Sequence, residues 1–226
     1  GVIKGYIKKE AARFVYKLYQ SSISKECSHP VVMSVDDTID ILRTSEVSLV
    51  RFGDGEVQMI RGTGLKLQSR DEDLVCRMRR LLSFENDNLL ITIPDIFAGV
   101  DQYVPQSRDF WKDHLLFCRK YYNQLCKPDK AYGNSFFSRC YIIMQDKSRC
   151  GSWFQKTREI WAGRKIVIVE GSATHDGVGN DLLDQAESVE RIICPPRNAY
   201  AQYNEILAKC LTFSKDKMFL ISLGPA

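Results

Sequence analysis

Two carboxylates separated by one glycine, Asp54 and Glu56, stand directly behind the apolar run Leu49-Val50-Arg51-Phe52. Such a run reads as a buried strand, and Gly53 and Gly55 punctuate its end. A strand that stops in a glycine turn delivers its next side chains to the carboxyl edge of a sheet, where open α/β folds bind ligands. On a helix, positions two apart point to nearly opposite faces. In a glycine turn they can converge, because glycine tolerates backbone angles that other residues avoid. Two hard carboxylate oxygens aimed at one point suit Mg²⁺ or Mn²⁺, with a substrate phosphate completing the shell. The competing reading is a turn whose acids face water and cap the next helix, since Asp-Gly is a common turn dipeptide.

Elements must hold those acids in place. Ser34 opens a helix with Asp37 three residues on as its capping-box partner, and Ile39, Ile41 and Leu42 lead into the strand at 48–52. After Glu56 come a short apolar piece (Val57, Met59, Ile60) and Gly62-Thr63-Gly64, which lacks the rest of a dinucleotide fingerprint and reads as a loop. Residues 71–83 and 106–126 carry helical patterns, and 88–94 a second buried strand. The last third runs strand (165–171), helix (opening at 179–183), strand (190–196), helix (198–211), strand (218–224). Alternation with short connections implies a parallel sheet with right-handed crossovers. The fold class is therefore α/β: a mostly parallel sheet flanked by helices, in one domain over 34–226, which the resemblance described below makes Rossmann-like. Residues 1–33 precede it as an amphipathic helix (2–20) and a polar connector.

Composition narrows the class of partner. The chain has 226 residues, 44% apolar and 11% aromatic, enough for a full α/β core. A net charge of +4 argues against a nucleic-acid partner and permits a phosphate-bearing ligand. The eight cysteines contain no CxxC pair and there are three histidines, so a zinc framework is not expected. Cysteines set inside apolar patterns point to a reduced, cytoplasmic compartment. No apolar run approaches a bilayer span, and the N-terminus shows no secretory core. Its basic helix, with Lys4, Lys8, Lys9, Arg13 and Lys17, either docks on its own domain or makes a peripheral contact at the inner face of the membrane.

If the strands are parallel, their carboxyl ends carry Asp54 and Glu56, Asp95, Glu170 with Gly171, Arg197 with Asn198, and Gly224. Helices starting near Gly179 and Asn198 offer free amides to phosphate oxygens. The loop Gly171–Asn180 is rich in Gly, Ser and Thr, which suits close backbone approach to a ligand; an ordinary loop capped by Asn180 or Asp181 is the alternative. The segment Tyr132–Arg139 mixes aromatics, an amide and a cation. It suits stacking on a base and pairing of Arg139 with a diphosphate, or else a buried connector. Lys147, Ser148 and Arg149 precede the next helix. His175 could serve as a base, whereas His29 and His114 carry no signal.

Taken in order, these segments resemble the bacterial GT-D-fold glycosyltransferases that bear a DxE metal motif. Arg51-Phe52-Gly53-Asp54-Gly55-Glu56 looks like the family signature. The likeness continues through Tyr132-Gly133-Asn134, Asp146-Lys147-Ser148-Arg149, Ile168-Val169-Glu170-Gly171, Gly177-Val178-Gly179-Asn180-Asp181, Cys194-Pro195, Asn198-Ala199 and Ser222-Leu223-Gly224-Pro225. It covers about residues 35–226. The resemblance implies a UDP-sugar donor, typically UDP-glucose, Mn²⁺ or Mg²⁺, and a glycan or glycoprotein acceptor at the cell surface. Relatives continue past the final strand, so the chain reads as truncated or as lacking part of the acceptor side. Ala173-Thr174-His175-Asp176 matches no family residue.

On this reading Asp54 and Glu56 hold the metal, which stabilises charge on departing UDP. Arg51 belongs to the substrate site, and Arg139, Lys147 or Arg197 adds a second positive charge. Glu170, then Asp181, is the expected base on the acceptor hydroxyl; a carboxylate at a strand end can instead hold ribose. Asn134 and Asn198 are expected to contact base or ribose. Two other readings stand beside this one: a metal-dependent phosphohydrolase or nucleotidyltransferase, and a nucleotide-sugar-binding module without turnover. The absence of a GxxxxGK[ST] loop and of paired aspartates weighs against the phosphohydrolase.

Overall fold

The computed structural model describes residues 29–226. The helix expected over 2–20, and the membrane contact expected of it, lie outside the described residues. The first half of the fold comprises β1 (Val31–Val32), α1 (Val35–Thr44), β2 (Ser48–Arg51), α2 (Asp54–Arg61), α3 (Glu72–Ser83), β3 (Leu89–Ile93), α4 (Pro105–Leu125) and β4 (Ala131–Asn134). A 3₁₀ turn (Ser135–Arg139), α5 (Cys140–Ile143) and α6 (Cys150–Glu159) follow. The second half comprises β5 (Lys165–Gly171), β6 (Ser188–Cys194), a 3₁₀ turn (Ala199–Gln202), α7 (Tyr203–Cys210) and β7 (Met218–Ser222). No helix among the described residues is long and apolar enough to cross a membrane.

All ladders between these strands are parallel, in keeping with the α/β expectation. Two sheets form where the sequence suggested one: β1-β4-β3-β2 and β6-β5-β7. Val57, Ile60, Leu74, Met78, Leu115 and Tyr122 pack helices α2, α3 and α4 over one face of the larger sheet. Val35, Ile39, Cys140 and Trp153 cover its other side from α1, α5 and α6. Leu42, Leu90, Ile160, Trp161, Ile166 and Ile168 join the two sheets, because alternate residues of β5 face this cluster. Val167, Val169, Ile192 and Cys194 face the opposite way, towards Ile206, Cys210 and Phe213.

Local rules explain most boundaries. Ser34 caps α1, accepting the Asp37 N–H at 3.1 Å, while its hydroxyl donates to the Asp37 carboxylate at 2.6 Å. Asp71 caps α3 through the Leu74 N–H at 3.0 Å. Two expectations fail. Residues 54–61 are a helix rather than a turn followed by an apolar fragment. Residues 179–183 form turns rather than a helix: Gly177 and Gly179 have φ of 73° and 76°, and Asn180 accepts the Leu182 N–H at 3.0 Å. The chain there is held instead by Trp161, whose indole donates to the Leu182 carbonyl at 2.8 Å.

One tie fastens α1 to the end of β4. Thr38, fully buried, donates to the Ser34 carbonyl at 2.8 Å and accepts the Asn134 N–H at 2.8 Å. Thr38→Val keeps the shape but leaves that buried N–H unpaired, so a loss of about 1–3 kcal/mol is expected in urea unfolding. A loss below about 0.5 kcal/mol, the range of an ordinary surface change, would show that the tie does not hold the two elements.

Candidate functional site

The carboxyl ends of β2, β3 and β4 lie side by side, since Arg51 pairs with Thr92 and Ile93 with Asn134. Gly53 is the N-cap of α2, so Asp54 is the first helical residue and Glu56 the third. The glycine turn in which both acids converge is therefore corrected. Glu56 curls back, and its Oε2 accepts the Gly53 N–H at 2.6 Å. Asp54 Oδ2 accepts from the Gln58 amide at 3.1 Å. The helix N-terminus favours both charges. Helix capping and a ligand site are thus not alternatives here, because each carboxylate retains one oxygen beyond these bonds.

Arg51 explains why two acids gather at this point. Its Nε donates to the Ser135 carbonyl at 3.0 Å. Burial pushes its pKa down and Arg139 adds to that, while Glu56 and Asp54 oppose both. The guanidinium and the Glu56 carboxylate close on Gly53 from two sides: a Cβ there would lie 3.3 Å from one and 3.2 Å from the other. Behind the helix, His114 sits buried against the Tyr122 hydroxyl at 3.1 Å, its pKa pushed down to about 4, mainly by burial, with Asp54 pulling the other way. Trp111, His114, Leu115, Cys118 and Tyr122 follow the helical period of the buried face of α4.

Among the described residues, no three His, Cys, Asp or Glu side chains gather into a metal cage. The donors at Asp54 and Glu56 are hard oxygens only. That set fits Mg²⁺ or Mn²⁺, which keep waters and take phosphate oxygens rather than demanding an all-protein cage. Asn134, 1% exposed, lies at the end of β4, its Oδ1 accepting the Phe136 N–H at 3.0 Å. Arg139 is exposed at the end of the following 3₁₀ turn.

A second group lies at the ends of β5 and β6. Gly171 leaves no room for a side chain, since a Cβ would meet Pro196 Cα at 3.2 Å; this packing accounts for the glycine without a ligand. Arg197 is exposed. Asn198, at φ 52°, accepts the Ser69 N–H through Oδ1 at 2.7 Å and donates its own N–H to the Leu67 carbonyl at 2.8 Å. Its amide oxygen therefore holds the 62–70 loop rather than facing a base or ribose. That loop reaches the first group as well, because Leu65 packs where a Cβ on Gly55 would stand, 2.9 Å away.

Three expected participants are engaged elsewhere. Glu170, 1% exposed, accepts the Asp176 N–H at 2.7 Å and the Arg191 guanidinium, so it is a poor proton acceptor for a substrate. Asp181 is exposed and pairs with Arg158 of α6 at 2.6 Å. Lys147 donates to the Tyr141 carbonyl at 2.6 Å. Gly179 and Asn180 shape the turn that replaces the expected helix. The turn therefore presents no helix N-terminus to a phosphate.

Comparison with known proteins follows the same outline. A family model described as the glycosyltransferase GT-D fold matches residues 49–226. Over 195 residues the chain is 38% identical to a probable glycosyl transferase of Streptococcus gordonii and 38% identical to the glycosyltransferase GlyD of Streptococcus pneumoniae. These alignments cover 86% of this chain but 28% and 24% of those proteins, so it spans about a quarter of their length. A solved glycosyltransferase from Streptococcus sanguinis is 37% identical with a TM-score of 0.83, over 87% of this chain and 74% of that one. Another structure, described as a distinct glycosyltransferase fold, is 36% identical with a TM-score of 0.84, over 88% and 72%.

The Glu170 pair has a pH signature. Burial alone would raise its pKa, but the Asp176 N–H and Arg191 outweigh it and hold the carboxyl below its usual range. A carboxylate depressed on folding adds stability above its unfolded pKa, and that stability is lost as pH falls through the lower folded value. Glu170→Gln is expected to cost about 2 kcal/mol at neutral pH in urea unfolding. The gap to wild type should close in acid. A gap independent of pH would show that the charge is not what holds this loop.

Proposed function

The chain belongs to the GT-D-fold glycosyltransferase family, and on that footing we propose that it is a metal-dependent glycosyltransferase. It moves a sugar, with glucose as the first candidate, from a UDP-sugar to a hydroxyl of a glycan or glycoprotein acceptor. The observation that carries this reading is the start of α2, where the Asp54 and Glu56 carboxylates and the Arg51 guanidinium stand together at the carboxyl end of β2. Carboxylates alone would repel a diphosphate. A cation alone would not discriminate it from any other anion.

Asp54 and Glu56 would hold Mn²⁺ or Mg²⁺, which when bound supplies Lewis-acid stabilisation of charge on the departing diphosphate. Arg51 and Arg139 are the chain's own contribution of positive charge. Arg51 is fixed by its bond to the Ser135 carbonyl, so little reorganisation is needed as charge develops on the leaving group. Arg139 adds charge from the adjoining 3₁₀ turn. Arg197, across the 62–70 loop on the neighbouring sheet, suits the far end of the donor or the acceptor. The reading places the reaction on the carboxyl rim of the parallel sheets, where open α/β folds bind nucleotides.

Calorimetric titration with UDP-glucose, UDP-galactose and UDP-GlcNAc, in Mn²⁺ and then in EDTA, tests this directly. One donor is expected to bind with the metal and not without it. Asp54→Asn is expected to abolish that binding and lower turnover about 100-fold or more while the chain stays folded, with a cooperative urea transition. Metal-independent binding that survives Asp54→Asn would remove both the metal and this site from the mechanism.

A further inference from the structure

Asp95 is the carboxylate on this rim to which the reading above gives no role. It lies three residues past Thr92, just as Asp54 lies three past Arg51, and Thr92 and Arg51 are register partners. The Phe52 N–H continues the ladder to the Thr92 carbonyl at 2.9 Å. On the other side Ile93 pairs with Asn134. Asp95 therefore stands at the middle strand end, between the helix start that carries Asp54 and the amide of Asn134.

Its backbone is pinned and its side chain is aimed. Tyr103, fully buried and edge-on to Phe136 with ring centroids 5.2 Å apart, donates its hydroxyl to the Asp95 carbonyl. Ile96 and Phe97 anchor the chain immediately after it. Asn134 Oδ1 is occupied by the Phe136 N–H, so its amide NH₂ is the end that turns to Asp95, with Nδ2 3.4 Å from Oδ2. The second oxygen of Asp95 has no hydrogen-bond partner among the described residues.

The other sequestered acids of this fold are compensated. Glu170 has Arg191 and a backbone N–H; Asp36 has Lys156, Arg149 and the Trp153 indole. Asp95 has no cation among the described residues, and burial pushes its pKa up. Tyr103 is the titratable group that faces it, and burial keeps that hydroxyl neutral. An uncompensated carboxyl costs stability. Structure alone gives no reason to keep it.

We propose that Asp95 takes the proton from the acceptor hydroxyl, with Asn134 as its positioning residue. This rests on the transferase reading. In the step, the acceptor oxygen forms a bond to the anomeric carbon as the bond from that carbon to the phosphate oxygen breaks. The electron pair leaves on UDP, and the acceptor proton passes to the open oxygen of Asp95 and from there to solvent. A carboxylate whose proton affinity lies above that of an exposed aspartate is the better base.

The test compares wild type, Asp95→Asn and Asp95→Glu with UDP-glucose and Mn²⁺, with water and a panel of p-nitrophenyl glycosides as acceptors. Asp95→Asn is expected to lower kcat by about 100-fold or more with donor Kd unchanged, and Asp95→Glu to recover part of the rate. The acid limb of the wild-type pH profile should vanish from the residual activity of Asp95→Asn. Its Tm should equal or exceed that of wild type, because an uncompensated charge has been removed. Turnover within about threefold of wild type, or a joint fall in Tm and donor affinity, overturns the proposal. A wild type that binds no UDP-glucose overturns the donor assignment and this proposal with it. Donor binding with equal turnover in both proteins overturns the role of Asp95 alone.

Discussion

A guanidinium half withdrawn from water sets the terms for everything around it. Arg51 ends β2, the edge strand of the larger sheet, with its guanidinium partly buried at the strand's carboxyl end, and a like charge on Arg139 makes matters worse. Asp54 and Glu56 offset part of that cost, and the first turn of α2 is where a helix N-terminus favours two acids. The Gly53 cap, the Ser135 carbonyl and the tight clearance around Gly53 all follow from that requirement. An electrostatic need of the fold has assembled a pair of hard oxygens beside a fixed cation.

Much of this was legible before any coordinates. The apolar runs located β2, β3, β5, β6 and β7, and the alternation of elements gave the parallel α/β class. The Ser34 cap and the helical patterns of α3 and α4 followed from spacing. The start of α2 was misjudged because two glycines flank Asp54 and read as a turn, whereas Gly53 is the cap and Gly55 is needed for Leu65 to pack. The strand–helix alternation predicts a helix opening at 179–183, but Leu182 and Leu183 pack from a turn that Trp161 holds. Spacing cannot reveal that Asn198 grips a loop more than a hundred residues away, since that contact exists only once both sheets are in place.

The acids of the rim divide by their surroundings rather than by residue type. Glu170 and Asp95 both sit at strand ends and look equivalent in the sequence. One is neutralised by an arginine and a backbone N–H, the other faces a neutral amide and a tyrosine that touches only its carbonyl. Their proton affinities therefore move in opposite directions. The strand end chooses where a carboxylate stands, and its neighbours choose what it can do.

The 62–70 loop has a consequence of its own. At one end Leu65 rests on Gly55 beneath the Asp54 helix; at the other Leu67 and Ser69 bond Asn198, and Gln68 reaches the Tyr200 N–H at 3.3 Å. The rims of the two sheets are thus linked through one loop, by side-chain packing at one end and by hydrogen bonds at the other. A molecule long enough to touch both rims meets a separation that the loop has already fixed, and the entropy of fixing it is charged to folding instead of to binding.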